Sequence, residues 1–257
     1  MQTLSAICFR EMFWTMTLRE LVSGGAARPS EDGTLLAMLR AARDEQTGET
    51  LSEQEIHDQC MIGFQAGHET TATALLWWSA LMVRHPEAMA RAQAEVDDAC
   101  GAGALAPERL AALPWLGATL KEATRLYPPV AVLMTRRATR AIELGGYELP
   151  ARTLLRFTPW VLHRDPRWFE DPETFRPGRF EPGAPEVPRG AYLPFGVGPR
   201  VCLGQHLATL EMTLVAARLL RAFTLRLPPG TASAMPAPRL HVTLRPAEPV
   251  TLLLRRR

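Results

Sequence analysis

A glycine-rich segment that contains a single cysteine places the strongest constraint on this sequence. The segment spans 195–204 and reads Phe-Gly-Val-Gly-Pro-Arg-Val-Cys-Leu-Gly. Its three glycines permit backbone angles and close approaches that a side chain would block. An amphipathic run from Gln205 to Phe223 follows directly. The sequence therefore predicts a loop that delivers Cys202 to the N-terminus of a helix.

The position of Cys202 suggests a metal-binding sulfur. The dipole and the unpaired N–H groups of a helix N-terminus favour the thiolate over the thiol. A thiolate is a good iron ligand, and haem iron is one of the centres it can hold. Arg200, two residues earlier, is placed to meet an anion such as a haem propionate. The alternative is that a lone cysteine is simply a small buried hydrophobic residue.

The residues around Cys202 favour the first interpretation. They fit the pattern Phe-Gly-x-Gly-x-Arg-x-Cys-x-Gly, which resembles the haem-binding loop of the cytochrome P450 family. The resemblance implies that Cys202 is the proximal ligand of haem b, that Phe195 packs beside the sulfur and that Arg200 pairs with a propionate. It also assigns Gly196 and Gly204 to the cofactor-binding loop.

A long helix is predicted over about 52–84. Ser52 and Glu55 form a capping box at its start, and an apolar pattern continues to Val83. His85-Pro86 then ends the helix. Its apolar residues at 75–78 need a cover, which an absent part of the chain or another subunit could supply.

The middle of this helix carries the hexapeptide 66–71, Ala-Gly-His-Glu-Thr-Thr. It is either a helix segment with surface polar residues or a functional motif, and it resembles the distal-helix signature of the P450 family. The resemblance implies that Ala66 and Gly67 leave room for dioxygen over the iron. It also assigns proton delivery to Glu69 and Thr70. His68 is interpreted as a packed or hydrogen-bonded neighbour, not a second ligand.

A third motif lies on the helix predicted over Leu113–Leu126. Glu122 and Arg125 form an (i, i+3) pair, which is common and worth little on a surface. The pair resembles the Glu-x-x-Arg of the P450 family, and Arg179 in a Pro-Gly-Arg-Phe segment matches the second arginine of that network. The resemblance implies a buried network that holds the cysteine loop in place.

Extended structure is predicted between and after these motifs. Residues 141–149 alternate around Gly-Gly, which indicates a hairpin. The other extended or apolar runs are at 153–162, 224–227, 240–244 and 250–254, and 171–188 is a proline-rich meander. By the resemblance, Arg136 binds the second propionate, with Arg137 as its rival. Residues 130–133 and Val242 are placed near the substrate.

Shorter helices are predicted over 1–22, 34–43 and 86–100. Pro86 begins the last of these and Gly101 ends it. Proline at the start and glycine at the end of a segment are typical of helix boundaries, and they support the helix predicted over 86–100.

Composition narrows the class of protein further. The 257 residues carry a net charge of +2, which gives no indication of nucleic acid binding. The four cysteines show neither metal-type spacing nor a dense disulfide framework, and no membrane span is predicted, so we expect a cytoplasmic protein. Lys121 is the only lysine, a bias that suggests a bacterial source.

Together these features predict a single domain over 1–257, mainly α with small β-sheets. By the resemblance it is the C-terminal portion of a cytochrome P450 fold, and the N-terminal part is expected to be missing or encoded separately. The implied function is a haem-thiolate monooxygenase that inserts one oxygen atom from O2 into an apolar organic substrate. Since no flavin, nicotinamide or iron–sulfur motif is present, electrons would come from a ferredoxin- or flavoprotein-type partner.

Two alternatives remain open at this stage. The chain could be a truncated, inactive fragment that binds haem weakly or not at all. It could also be a peroxide-using or hydroperoxide-rearranging relative, although such relatives tend to lose the acid–alcohol pair that is intact here as Glu69 and Thr70.

Overall fold

The computed structural model describes residues 3–4, 34–100, 107–231 and 234–257. Its α-helices are α1 (Leu35–Ala41), α2 (Glu53–Met82), α3 (Pro86–Cys100), α4 (Pro114–Leu126), α5 (Pro159–Leu162) and α6 (Gln205–Ala222). Short 3-10 helices occur at Pro107–Ala112, Pro177–Phe180 and Gly198–Arg200. The strands are β1 (Thr3–Leu4), β2 (Arg136–Arg137), β3 (Ile142–Leu144), β4 (Tyr147–Leu149), β5 (Leu154–Leu155), β6 (Phe223–Arg226), β7 (Pro238–Leu240), β8 (Leu244–Pro246) and β9 (Leu252–Arg256).

The chain divides into two units, Ser5–Glu69 and Met1–Leu4 with Thr70–Arg257. In the smaller unit, the Thr34 hydroxyl accepts a hydrogen bond from the Ala37 N–H at 3.1 Å and caps α1, as the predicted helix over 34–43 requires. The predicted helix over 1–22 and the position of Gly101 lie outside the described residues.

α2 begins with the predicted capping box. The Ser52 N–H donates to Glu55 Oε2 at 2.8 Å, and the Glu55 N–H donates to Ser52 Oγ at 3.3 Å. Two N–H groups that have no partner inside the helix are satisfied in this way. The helix then continues for 30 residues to Met82.

The tryptophans of α2 lie in the core of the larger unit, so the expectation of an external cover was wrong for these two residues, whereas Leu75 and Leu76 are half-buried. Trp77 and Trp78 are both fully buried. The Trp77 ring stacks on Tyr127 with the centroids 4.0 Å apart, and its indole N–H donates to the Leu244 carbonyl. The Trp78 indole N–H donates to Thr119 Oγ1 at 2.9 Å. Both indoles thus bury their rings and satisfy their single donor.

The core of the larger unit is formed by the apolar faces of α2, α3, α4 and α6. Each helix contributes side chains spaced three or four residues apart, which lie on one face. On α6, the small residues Ala216 and Ala217 permit close packing against α3 and α4. Fully buried members of this core include Ala92, Val96, Leu116, Ala216, Ala217 and Leu220.

A carboxylate on α3 caps the start of α4. Leu113 precedes α4 and cannot accept hydrogen bonds through its side chain. Glu95 supplies both acceptors instead, since its two carboxylate oxygens receive the N–H groups of Trp115 and Leu116 at 2.7 and 2.8 Å. A negative charge at a helix N-terminus is favourable, so this contact fixes α4 against α3.

The described strands form small antiparallel sheets. One sheet has the order β1-β9-β6, and the pairs β2-β5, β3-β4 and β7-β8 form the others. The predicted hairpin is present as β3 and β4. Gly145 and Gly146 connect these strands with φ of +60° and +82°. Two consecutive positive φ angles are typical of a type I′ turn, which matches the twist of the strands.

Two predicted extended runs were only partly right. Of 153–162, Leu154–Leu155 is a strand, but Pro159 begins the helical turn of α5, because its ring fixes φ at a helical value. Of 240–244, the two end residues pair with each other, and the residues between them turn the chain from β7 to β8. Val242 lies at this turn with 89% of its surface exposed.

Candidate functional site

Glu122 and Arg125 on α4 form a fully buried ion pair. Both side chains are fully buried, with Arg125 Nε 2.7 Å from Glu122 Oε2 and Arg125 NH2 2.8 Å from Oε1. Two parallel charge-assisted hydrogen bonds of this kind fix the geometry as well as the charge balance. A spacing of three residues on one helix face brings the groups together.

Arg125 donates all of its remaining hydrogen bonds to backbone carbonyls. Its NH1 group donates to the carbonyls of His163 and Pro172, both at 2.7 Å, and NH2 donates to that of Thr174 at 3.1 Å. A guanidinium has five N–H donors, and all five are used here. One side chain therefore ties three separate backbone positions to α4.

The structure also brings the second arginine of the predicted network to Glu122. Arg179 Nε lies 3.4 Å from Glu122 Oε1, and the same oxygen accepts the Arg176 N–H at 2.8 Å. Burial lowers the pKa of Arg179, and Glu122 opposes that shift. Glu122, Arg125 and Arg179 thus form one cluster, whose contacts are mainly with the backbone of the meander.

The cysteine loop follows the meander and has the unusual backbone that its glycines allow. Gly196 and Gly198 adopt φ of +74° and +76°. These values are rarely adopted by residues with a side chain, so the two glycines are required for the shape of the loop. The Cys202 N–H donates to the Phe195 carbonyl at 2.9 Å, which closes the loop on itself.

The Cys202 thiol is free and exposed immediately before α6. Gly204 occupies the N-cap position, and no side chain there accepts the first N–H groups of the helix. Phe195 is half-buried and packs against the core. It also lines an open groove of about 500 Å³ with Leu110 and residues of the first α6 turns. The sulfur thus lies before the first turn of a helix whose buried residues come later, from Met212 to Leu220.

The resemblance assigned Arg200 and Arg136 to anions, with Arg137 as the rival of Arg136. Arg200 is exposed and its guanidinium makes no hydrogen bond or ion pair with any residue that the structure describes. Arg136 donates from NH1 to the Met134 carbonyl at 3.0 Å, whereas the exposed Arg137 has no such partner within the described ranges. Arg136 and Arg137 are consecutive on β2, so their side chains leave opposite faces of the strand.

The predicted distal motif lies entirely on α2. Ala66 and Gly67 are exposed, and Glu69 and Thr70 are half-buried. His68 is a hydrogen-bonded neighbour, as predicted, because its Nδ1 lies 2.9 Å from the Phe64 carbonyl and its ring stacks on Phe64. That hydrogen bond holds the imidazole along its own helix.

His163 is the residue of the site region that sequence reasoning missed. It is fully buried, and its ring nitrogens lie 3.2 Å from the Arg125 carbonyl and 2.8 Å from the Leu193 N–H. Desolvation lowers its pKa from 6.5 to about 4, with positive charge on Arg125 and Arg164 adding to the shift. Nothing in the sequence His163-Arg164-Asp165-Pro166 indicates a contact 30 residues further along the chain.

The donor set of the loop fits a haem group. Cys202 offers one sulfur ligand, and Arg200 offers a cation for a carboxylate. Apolar side chains of the loop are also exposed beside the sulfur, with Leu203 fully so and Val197 and Val201 about half. A sulfur, a cation and apolar surface on one loop match the iron, the propionates and the macrocycle of haem.

Comparison with known proteins identifies the family. The family model described as Cytochrome P450 matches residues 16–254. The cyclooctatin synthase of Streptomyces melanosporofaciens is 44% identical over 225 residues, covering 86% of this chain and 48% of that protein. The cyclooctat-9-en-7-ol 5-monooxygenase of the same organism is 38% identical, covering 83% of this chain and 46% of that protein. The chain belongs to the cytochrome P450 family.

Solved structures support the same fold. The structure titled retinoic acid bound cyanobacterial CYP120A1 superposes with a TM-score of 0.86 at 32% identity, covering 93% of this chain and 54% of that one. The fold is therefore the mainly α cytochrome P450 fold with small sheets that the sequence predicts. The chain spans about half the length of the relatives it matches. Among the helices that the structure describes, none is both long enough and apolar enough to cross a bilayer.

Proposed function

We propose that this chain carries the haem-thiolate centre of a cytochrome P450-type monooxygenase. The reaction inserts one oxygen atom from O2 into an apolar organic substrate. The observation that carries the proposal is the exposed Cys202 thiol at the start of α6, on a loop shaped by two glycines with positive φ. Haem b, held through its iron by Cys202, would supply the activation of dioxygen.

Each predicted residue has a defined task in this proposal. Cys202 binds the iron, and Arg200 together with Arg136 or Arg137 neutralises the propionates. Phe195 packs beside the sulfur, and Gly196 and Gly204 let the backbone approach the cofactor. Ala66 and Gly67 leave space for dioxygen, and Glu69 and Thr70 hold and move protons at their side-chain oxygens.

The Glu122–Arg125–Arg179 cluster acts as the support of the loop. Its members touch each other and the meander backbone, and the cluster lies in the same unit as Cys202. A fixed support matters because a metal ligand must hold its geometry closely for the metal to bind and react.

Electron supply and location complete the proposal. We expect a ferredoxin- or flavoprotein-type partner to deliver electrons to the haem and a bacterial cytoplasm to hold the enzyme. The two Streptomyces relatives support a bacterial source. An apolar substrate is consistent with the names of these relatives.

The test is reconstitution of the chain with haemin. A one-to-one complex should form, and its reduced CO adduct should absorb at the position that marks thiolate ligation. Cys202→Ser should abolish that band. Cys60→Ser is the matched control, since Cys60 is also a free cysteine, and it should leave the band unchanged.

Other results would contradict the proposal in different ways. An unchanged band in Cys202→Ser would refute the ligand assignment. A chain that binds no haemin would favour the inactive-fragment alternative for this chain alone. Product formation with peroxide, but none with an electron donor and oxygen, would favour the peroxide-using class.

A further inference from the structure

The segment that enters the cysteine loop is held to α4 through one buried imidazole. His163 follows α5 as its C-cap residue, and the Leu193 N–H donates to His163 Nε2 at 2.8 Å. On its other side, His163 Nδ1 lies 3.2 Å from the Arg125 carbonyl. A single ring thus joins the backbone of α4 to the backbone that leads to Cys202.

The partners of His163 fix its protonation state. Because Nε2 accepts a hydrogen from Leu193, it carries no proton of its own, and Nδ1 must be the nitrogen that donates to the Arg125 carbonyl. His163 is also held from its backbone side, since its carbonyl accepts from Arg125 NH1. The ring therefore has one tautomer and one orientation.

Two backbone hydrogen bonds connect Leu193 to the cysteine loop. The Gly196 N–H donates to the Leu193 carbonyl at 3.2 Å, and the Cys202 N–H donates to the Phe195 carbonyl at 2.9 Å. The His163 ring is therefore connected to the backbone of Cys202 through three hydrogen bonds, with the covalent Phe195–Gly196 linkage between the last two. By comparison, the carboxylate of Glu122 contacts Arg125, Arg176 and Arg179, not the loop itself.

A tyrosine reinforces the same link. The Tyr192 ring lies 5.2 Å from the His163 ring, and its hydroxyl lies 2.8 Å from Thr124 Oγ1 and donates to the Lys121 carbonyl. Burial raises the pKa of Tyr192, so the phenol stays protonated and can keep donating. Two successive residues before the loop are thus fastened to α4.

We infer that His163 is the positioning residue that couples the buried Glu122–Arg125 pair to the cysteine loop. It touches neither the sulfur nor any other residue assigned to the cofactor, and it acts by holding Leu193 at a fixed place on α4. The inference rests on the proposed function for its consequence, a correctly oriented Cys202, but its geometry is independent of haem.

The variants follow from the two ring nitrogens. His163→Phe keeps an aromatic ring and removes both hydrogen bonds. His163→Gln retains an acceptor that can reach the Leu193 N–H in place of Nε2. His85→Gln is the matched control, because His85 Nδ1 also lies 2.8 Å from a backbone carbonyl, that of Leu81, and its ring contacts Phe175 at 4.7 Å.

The first measurement needs no cofactor. Amide hydrogen exchange of the haem-free chain, read by mass spectrometry, should show about tenfold faster exchange across 191–204 in His163→Phe, because a hydrogen bond of the Leu193 amide is lost. Exchange across 114–126 should change far less. His163→Gln should restore most of the protection, and His85→Gln should match the unsubstituted chain in both segments.

The second measurement uses the haem-loaded chain. In His163→Phe, the share of the reduced CO adduct in the thiolate band should fall at least about threefold in favour of the band of neutral-thiol ligation, with recovery in His163→Gln. A purely structural role would lower haem occupancy without redistributing the bands.

The outcomes separate this inference from the proposed function. If the unsubstituted chain shows no thiolate band, the proposed function fails, and the exchange data alone decide the role of His163. Unchanged exchange across 191–204 in His163→Phe, or equal acceleration in every segment, overturns the inference. Faster local exchange with rescue by His163→Gln supports it.

Discussion

The buried pair on α4 and the exposed cysteine loop use their polar groups in opposite ways. Glu122 and Arg125 are fully buried, and every donor of the guanidinium has a partner within the chain. Residues 197–204 are all exposed, and neither Arg200 nor the Cys202 thiol is bonded through its side chain to another described residue. The comparison distinguishes a buried region that contributes stability from an exposed loop that we propose carries the chemistry. Four measurements test this distinction.

The largest effect is expected on the α4 side. Arg125→Met leaves the Glu122 carboxylate buried without its main partner and should lower the free energy of unfolding by about 3–5 kcal/mol. Arg176→Met is the control, since the Arg176 side chain pairs with Glu170 at the surface and should cost under about 1 kcal/mol. Urea unfolding of both variants would measure these changes. Similar decreases in unfolding free energy for Arg125→Met and Arg176→Met would contradict the distinction between the buried pair and the surface.

A second effect should appear as a pH dependence at His163. Its pKa is about 4 in the folded chain and near 6.5 in the unfolded chain, so the unfolded state binds more protons between these values. The stability that the neutral imidazole contributes is complete above pH 6.5 and falls by roughly 3 kcal/mol as the pH approaches 4.

Denaturation midpoints measured from pH 7 to pH 4 would check this. The other groups that face His163 are Arg125, Arg164 and Tyr192, and the guanidinium groups stay charged throughout the range while the phenol stays neutral. His163→Gln should therefore lose less stability than the unsubstituted chain as the pH falls. Parallel pH curves for the two would assign the loss to other groups.

Glycine-to-alanine substitutions should change the free energy of unfolding by a smaller amount, with opposite signs in the cysteine loop and in α4. Gly196→Ala forces a side chain onto φ of +74° and should destabilise by about 1–2 kcal/mol, although its Cβ would meet no atom closer than 3.9 Å. Gly117→Ala lies within α4 with open space around the new Cβ and should stabilise by up to about 1 kcal/mol. Thermal unfolding of the two variants distinguishes the signs.

The smallest effect on stability is expected at the sulfur itself. Cys202→Ser in the haem-free chain should change the free energy of unfolding by no more than about 0.5 kcal/mol, because the side chain is exposed. Calorimetry of the haem-free chain and of the variant measures this difference in the free energy of unfolding. A decrease of more than about 1 kcal/mol in the free energy of unfolding would mean that the loop also contributes to stability, contrary to the distinction drawn here between the loop and α4.

The sequence predicted the features whose causes are local. The Ser52–Glu55 capping box, the Gly145-Gly146 turn and the helix that begins after Gly204 each depend on residues within a few positions. The cysteine motif is equally local, which is why the family and the fold followed from it. The position of the Glu122–Arg125 pair on one helix face could be predicted from spacing alone.

The features that the sequence did not predict depend mainly on contacts between distant parts of the chain. Trp77 and Trp78 were expected to need an outside cover, but their partners Tyr127, Leu244 and Thr119 are 41 or more residues away. The role of His163 depends on Leu193, which 30 residues separate from it. Pro159 was read within an extended run because the apolar residues around it carry no helical period over so short a turn.

The partners of the Arg125 side chain are far apart in the sequence, and this separation affects the order of folding during synthesis. The ion-pair partner of Arg125 lies three residues away and is available as soon as α4 forms, but its carbonyl partners follow 38, 47 and 49 residues later. A ribosome must therefore synthesise everything through Thr174 before this guanidinium can be enclosed. Until then the nascent helix carries a solvated charge that opposes its burial, so we expect the Glu122–Arg125 pair to become enclosed late in folding.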